Sequence, residues 1–325
     1  MSAADRKLYV IAVISNVPRY ASRYKLYRNF EQHMLASENV VLVTVEHAFG
    51  DRDFAVTHCD NPHHIQVRAG SESEVWTKES LVNIGMRNLD RIAPHWKYAA
   101  WIDADIEFLF PNWAMETIEA LQHYKIVQPW TRAIDQGPHR EPLAMAESFC
   151  YSYFREQGDQ AVGLPTTRGY AGKLRDGIET WHPGYAWAIR RDCWERIGPF
   201  IDWAPMGAGD HHMAWAFIGQ IDRAVDSRST EGYKRRAKSF QHRCDKHLHT
   251  DVGFVKGTIL HHWHGKKRER FYVSRAKSLL DSKFDPDTDI TYNHAGLLVL
   301  TGHNPKLRDA LRRYFLSRNE DSIDV

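Results

Sequence analysis

The tightest constraint on this chain is the run Leu8–Ser15 (LYVIAVIS), eight residues without a charge and rich in β-branched side chains. A strand with one wet face alternates apolar and polar residues, so an uninterrupted run of this kind fits a strand covered on both faces. A helical stretch follows from Arg23 to Ser37, and Asn39–Glu46 (NVVLVTVE) repeats the strand pattern. Strand, helix and strand in this order predict a parallel sheet with a right-handed crossover. Leu81, Ile84, Leu89 and Ile92 lie at helical spacing within Lys78–Ile92, ahead of Pro94, and predict a second helix packed on that sheet.

The next run, Tyr98–Phe110 (YAAWIDADIEFLF), is apolar on both sides of two carboxylates and leads through Pro111 into a helix over Trp113–His123 and a short strand at Ile126–Pro129. Thr131–Arg175 shows little periodicity and many Gly, Pro and charged residues, and is expected to form loops and a lid. Trp181–Ile189 reads as a strand entered through Gly184, Arg191–Ile197 as a short helix, and Ala208–Ile218 as a helix with Asp210 at its N-cap. Ile259–Gly265 closes the main body, and Lys306–Leu316 is a terminal amphipathic helix. At 325 residues the chain only modestly exceeds one core, so the expectation is an α/β domain with a C-terminal appendage.

Hydrophobic content of 43% and charged content of 26% are those of a globular protein. No run approaches the roughly 20 apolar residues that span a bilayer, and charge directly precedes the first strand, so a cytoplasmic chain without an anchor is expected. Cys59, Cys150, Cys193 and Cys244 form no CxxC pair, which fits reduced thiols. The net charge of +2 is unevenly spread: residues 233–277 carry thirteen Lys or Arg against three Asp or Glu. Such a segment either forms a solvated helix face or attracts phosphates of a nucleotide, a nucleic acid or an anionic membrane.

In extended backbone, residues i and i+2 point the same way, so Asp103 and Asp105 present two carboxylates to one place. Their position after a strand is where open α/β sheets bind ligands, and a hard divalent ion held there would grip a diphosphate leaving group. Asp210, in GAGDHH, is the candidate general base for an acceptor hydroxyl, or else a helix cap. His262 and His264 of HHWHG share a side if the strand runs through them, and His264 is the candidate to complete the metal shell; imidazole would favour Mn²⁺ over Mg²⁺. A competing zinc site would join Cys244, His247 and His249 to these histidines, although the spacing matches no tetrahedral pattern well.

On these passages the chain resembles glycosyltransferases of the GT-A fold, and is similar in motif order to the galactosyltransferase C-terminal domain group and to family 2 type transferases. VISNVPRYASRYKLYRNF resembles the first strand and Arg-bearing loop, ESLVNIGMRN the donor-side helix, WIDADIEF the DxD strand, and HPGYAWAIRRDCWERIGPFIDWAPMGAGDHHM the glycine-led strand and carboxylate motif. The resemblance covers roughly residues 7–270 and implies a Rossmann-like, mixed but mostly parallel sheet flanked by helices, in a domain of residues 1–270. In that span a nucleotide-sugar half covers about 1–110 and an acceptor half about 111–270, with 271–325 a helical appendage.

By the same resemblance Asp105 binds Mn²⁺ or Mg²⁺, helped by Asp103 directly or through the ribose, Asp210 is the catalytic base of an inverting transfer, and His264 is the late metal ligand. Arg19, Asn83 and Gly184 match donor-side positions for a nucleotide sugar, with UDP-sugar the expected donor, and Trp181, His182 and Tyr185 are candidates for the sugar pocket. Where the family has Glu-Asp or Asp-Asp, Gly209 here precedes Asp210 and His211 follows it. Two acceptors are open. One is a bacterial surface glycan. The other is a hydroxylated pyrimidine in DNA, since the chain is also similar to transferases of tailed bacteriophages; Lys234, Arg235, Arg236, Lys238 and Lys266–Arg270 would then meet phosphates. A zinc-containing nucleic-acid-binding protein and a non-catalytic sugar-nucleotide-binding protein are the alternatives from other classes.

Overall fold

The computed structural model describes residues 6–158, 174–175, 177–270 and 272–324. In chain order its elements begin with β1 (Leu8–Ser15), α1 (Ala21–Ala36), β2 (Val40–Phe49), β3 (His64–Ala69), α2 (Lys78–Ile92), β4 (Tyr98–Ile102), β5 (Ile106–Phe108) and α3 (Trp113–His123). Then come β6 (Ile126–Gln128), β7 (Arg132–Gln136), β8 (Pro142–Ser148), α4 (Phe149–Gly158), β9 (Leu174–Arg175), β10 (Ile178–His182), β11 (Ala186–Arg190), α5 (Arg191–Ile197) and α6 (Gly209–Phe217). The remainder is α7 (Glu231–His247), β12 (Val252–Phe254), β13 (Thr258–His261), α8 (Tyr272–Asp281), β14 (Ile290–Tyr292), β15 (Leu298–Leu300) and α9 (Pro305–Ser317).

The central sheet has seven strands in the order β12-β6-β11-β4-β1-β2-β3. All neighbours are parallel except β11, which runs antiparallel to both β4 and β6. This is the mixed, mostly parallel α/β architecture that the sequence predicts. The uninterrupted apolar character of β1 has its cause here. Leu8, Val10, Ala12 and Ile14 face one apolar core with Tyr27 and Phe30 of α1, while Ile11 faces a second core with Leu81 and Ile84 of α2. Each such side chain, fully removed from water, contributes about 1.5–3 kcal/mol. Helix α2 lies close on β1 because Gly85 lacks a side chain; a Cβ there would sit 2.6 Å from Ile11 Cγ2.

A second sheet, β5-β13-β7-β8-β10-β9, stands beside the first. It corrects two expectations. Thr131–Arg175 is not simply loop, since β7, β8 and α4 occupy much of it; residues 159–173 of that stretch lie outside the described residues. Trp181–Ile189 is two strands in two sheets: the backbone turns at Trp181 (φ 63°) and Tyr185 (φ 76°), so β10 ends in the second sheet and β11 begins in the first.

The C-terminal region packs against the rest of the chain. Leu307, Leu311 and Tyr314 of α9 lie in the main apolar core. The segment after α9 is clasped to the start of α1: Asp321 accepts from the amides of Ala21 (3.0 Å) and Ser22 (2.8 Å), and Glu320 takes Arg23 at 2.5 and 2.7 Å. Trp263 Nε1 donates to the Ser322 carbonyl at 2.7 Å. No helix among the described residues is long and apolar enough to cross a membrane.

Candidate active site

Where β1 and β4 end at the carboxyl edge of the central sheet, a cavity of about 590 Å³ opens. Its walls include Asp103 and Asp105 after β4, Lys78 at the start of α2, Asp210 in α6, and His261 and His264 at and beyond the end of β13.

Asp105, His261 and His264 converge. The Asp105 Oδ2 atom lies 3.1 Å from His264 Nε2 and 3.8 Å from His261 Nε2, and the two imidazole nitrogens are 3.3 Å apart. An octahedral ion with bonds of about 2.1 Å places neighbouring ligands about 3 Å apart, so the three donor atoms are spaced as one ion requires. The second oxygen, Asp105 Oδ1, is buried with no hydrogen-bond partner, a costly state that a cation relieves. The residues present therefore fit a divalent ion. Among the described residues this is the one cluster of that kind. Two imidazoles and one carboxylate suit Mn²⁺ or a neighbouring transition ion better than Mg²⁺.

Protonation favours the same arrangement. Burial opposes charge on Asp105, but His261, His264 and Arg270 outweigh it and hold the carboxyl far below its usual range. Burial and the Arg270 charge push His264 down to about 4, which leaves its imidazole neutral at pH 7. His261 is oriented from behind by Asp135 of β7, whose Oδ1 lies 2.6 Å from His261 Nδ1 and also accepts from Tyr185 Oη at 2.9 Å. Lys267 pairs with Asp135 Oδ2. A carboxylate only accepts, so Nδ1 carries a proton, and in the neutral imidazole Nε2 keeps its lone pair for an ion beside Asp105.

Asp103 takes a different place. Its Oδ1 is 2.5 Å from Lys78 Nζ, and it does not join the three-residue cluster. Asp105 lies beyond the last residue of β4, where the backbone turns, so the alternation that would align the two carboxylates has already ended. The same holds for the histidines. Strand β13 stops at His261, and three residues on His264 returns to the same side, while His262 turns away to Gln136 (2.7 Å) and Glu107 (3.2 Å).

Asp210 is not the helix cap. That position falls to Ala208 in a left-handed conformation (φ 82°), which carries Asp210 into the first turn of α6 and its carboxylate against Gly184. A Cβ on Gly184 would lie 3.0 Å from Asp210 Oδ2, tighter than an ordinary contact, so glycine favours this approach. Burial pushes the Asp210 carboxyl up, but the Lys78 charge, the His211 amide at 2.7 Å and Arg275 more than offset it, so the group stays below its usual range and is ionised at neutral pH.

Of the other expected donor-side residues, Arg19 (φ 64°) does not line the cavity. Asn83 lies away from it: its amide binds Phe200 and Asp202, fastening α2 to the segment before α6. His182 and Tyr185 line the cavity; Trp181 instead stacks on Trp215 in the core. Cys244 is buried in α7, its thiol pushed up by burial, and neither it nor His247 or His249 joins a metal cluster among the described residues. On α7, Lys234 pairs with Glu231 (2.9 Å), Arg236 with Asp287 (2.8 Å), Arg235 with Asp287 and Lys238 with Asp222.

Sequence reasoning missed Lys78, Asp135, His261 as the second imidazole, and Arg275 and Arg318, which also line the cavity. Only His261 carried a local signal, its place at a strand end beside His262 and His264.

No protein-family model matches this sequence, and no curated protein does. Several solved structures are similar at low identity. They include Staphylococcus aureus TarS 1-349 (9% identity, 84% of this chain and 65% of that chain, TM-score 0.39). The catalytic domain of Drosophila β1,4-galactosyltransferase 7 with xylobiose is similar at 11% identity (93% and 98% covered, TM-score 0.37). Glucosyl-3-phosphoglycerate synthase of Mycobacterium tuberculosis with Mn²⁺, uridine diphosphate and phosphoglyceric acid is similar at 10% identity (89% and 83% covered, TM-score 0.38). With these TM-scores below 0.5, functional weight falls on the geometry of the site itself.

Proposed function

We propose that this protein is a glycosyltransferase of GT-A type that moves a sugar from a nucleoside diphosphate donor, a UDP-sugar, to an acceptor hydroxyl with inversion. The observation that carries this reading is one cavity holding a metal-type cluster, Asp105 with His261 and His264, together with a separate ionised carboxylate, Asp210. Those three residues would hold Mn²⁺, and a bound ion supplies positive charge to a departing diphosphate. Two imidazoles and one carboxylate leave coordination positions for diphosphate oxygens and water. Arg270, which lines the cavity and whose charge acts on Asp105, adds a fixed cation on that side.

Asp210 takes the acceptor proton as the new bond forms at the anomeric carbon. A single in-line displacement needs one such base and inverts the configuration. Lys78 holds Asp103 in place and keeps Asp210 ionised. Lys234 and Lys238 of α7 each pair with a carboxylate and Arg235 and Arg236 share Asp287, which weakens phosphate contacts by these four cations and favours a sugar-like acceptor over a base in a duplex.

The test is a thermal-shift series with UDP and UDP-sugars in the presence of Mn²⁺, Mg²⁺ or EDTA. A ligand that binds only the native state raises the melting temperature by mass action. Wild type should show a Mn²⁺-dependent shift that Asp105→Ala loses. Asp210→Asn should keep the shift while losing transfer. No nucleotide-dependent shift with any metal would refute the proposal.

A further inference from the structure

A second group of residues lines the same cavity: Trp76, Thr77, Arg275 and Arg318. Both arginines are nearly sealed from solvent, 6% and 5% exposed. They are held side by side, because Arg275 Nη1 (3.1 Å) and Arg318 Nη1 (2.8 Å) both donate to Tyr314 Oη. The nearby Glu320 carboxylate, 2.5 Å from Arg318 Nε, is shared with Arg23.

The Trp76 ring lies under the Arg318 guanidinium at 5.2 Å. It also borders Arg275: a Cβ on Gly207 would meet Arg275 Nη1 at 3.2 Å and the Trp76 ring at 3.4 Å. Two donors in this wall are buried with no hydrogen-bond partner, Trp76 Nε1 and the Oγ1 of Thr77, a residue only 2% exposed. Thr77 precedes α2 without capping it, so the amides of the first turn add to the same positive end. The Arg275 charge acts on Asp210 and His211, which sets this end of the wall near the base, while Glu320 at the other end acts on His264.

We propose that Arg275, Arg318, Trp76 Nε1 and Thr77 Oγ1 bind a negatively charged group, a phosphate or carboxylate, on the acceptor, which is therefore an anionic sugar or polyol. Guanidinium groups match both anions through paired N–H donors, and an indole face suits the apolar side of a sugar ring. The acceptor assignment rests on the transferase reading; the anion site does not.

The experiment titrates glucose 6-phosphate, glucuronate and glucose by calorimetry into wild type, Arg275→Gln and Thr77→Val, each with and without saturating UDP and Mn²⁺. The charged sugars should bind and glucose should not, with UDP and Mn²⁺ leaving their affinity intact or stronger. The tighter of the two identifies the anion. Arg275→Gln should weaken binding at least tenfold and Thr77→Val several-fold, with UDP binding unchanged in both; the second variant serves if the first does not fold. Equal binding of glucose, or no binding by either charged sugar, would overturn the site. Competition between charged sugars and UDP would assign the arginines to the donor diphosphate and overturn the acceptor reading. Charged-sugar binding without any UDP binding would keep the anion site and sink the transferase reading.

Discussion

Replacing Asp135 by asparagine tests whether the site is built for a metal. The carboxylate has two jobs that an amide cannot do at once. Its Oδ1 accepts from His261 Nδ1 at 2.6 Å and from Tyr185 Oη at 2.9 Å, and its Oδ2 faces the Lys267 ammonium. If the substituted amide turns its oxygen to His261, its NH₂ meets Lys267 donor to donor. If it turns its NH₂ to His261, Nδ1 must accept, the proton moves to Nε2, and the lone pair that would bind the ion is lost. Loss of such a supporting partner typically costs about 10–100-fold in metal affinity, or about 1.4–2.7 kcal/mol. Mn²⁺ titration followed by electron paramagnetic resonance of the free ion, at fixed pH and with a folding control by circular dichroism, measures this directly. Wild-type affinity in a folded Asp135→Asn variant would refute the metal assignment of His261.

Further outcomes follow from the same geometry. Gly184→Ala places a methyl 3.0 Å from Asp210 Oδ2 and 3.2 Å from His182 Cε1, so turnover should fall about 10–100-fold while UDP binding persists; unchanged turnover would remove Asp210 from the reaction. Glu79, buried beside the site, has its carboxyl pushed up to about 8 by burial, so between about pH 4.3, where an unfolded Glu titrates, and pH 8 the native state holds the extra proton and stability falls as pH rises. Glu79→Gln should lift this penalty, its melting temperature gaining on wild type from about pH 5 to about pH 8; parallel curves would refute it. Asp321→Ala leaves two amides at the start of α1 without their acceptor and should cost about 1 kcal/mol in denaturant unfolding, where an unchanged midpoint would show that the clasp contributes nothing.

Much of the frame was legible because it is local. Lys78–Ile92, Trp113–His123 and Arg191–Ile197 coincide with α2, α3 and α5, and β1 matches its apolar run. Helix α7 escaped because its surface is dense with charge and its buried stripe, Tyr233, Ala237, Phe240 and Cys244, is thin. Strands β7 and β8 escaped because the outer residues of β8, Leu143 and Met145, are apolar yet exposed, which blurs the alternation. Asp105 was found by its place at a strand end. Asp135 and Arg275 were not, since each acts through a partner more than 30 residues away, and no single sequence displays such pairings.

The clasp between the segment after α9 and the start of α1 also bears on how the cavity comes into being. Contacts such as Asp321 to Ala21 join points 300 residues apart, so they form at large loop-closure cost unless the intervening sheets already hold the ends together. The wall that carries Arg318 and Glu320 is therefore held by contacts between the two ends of the chain, and its shape depends on the sheets that bring those ends together.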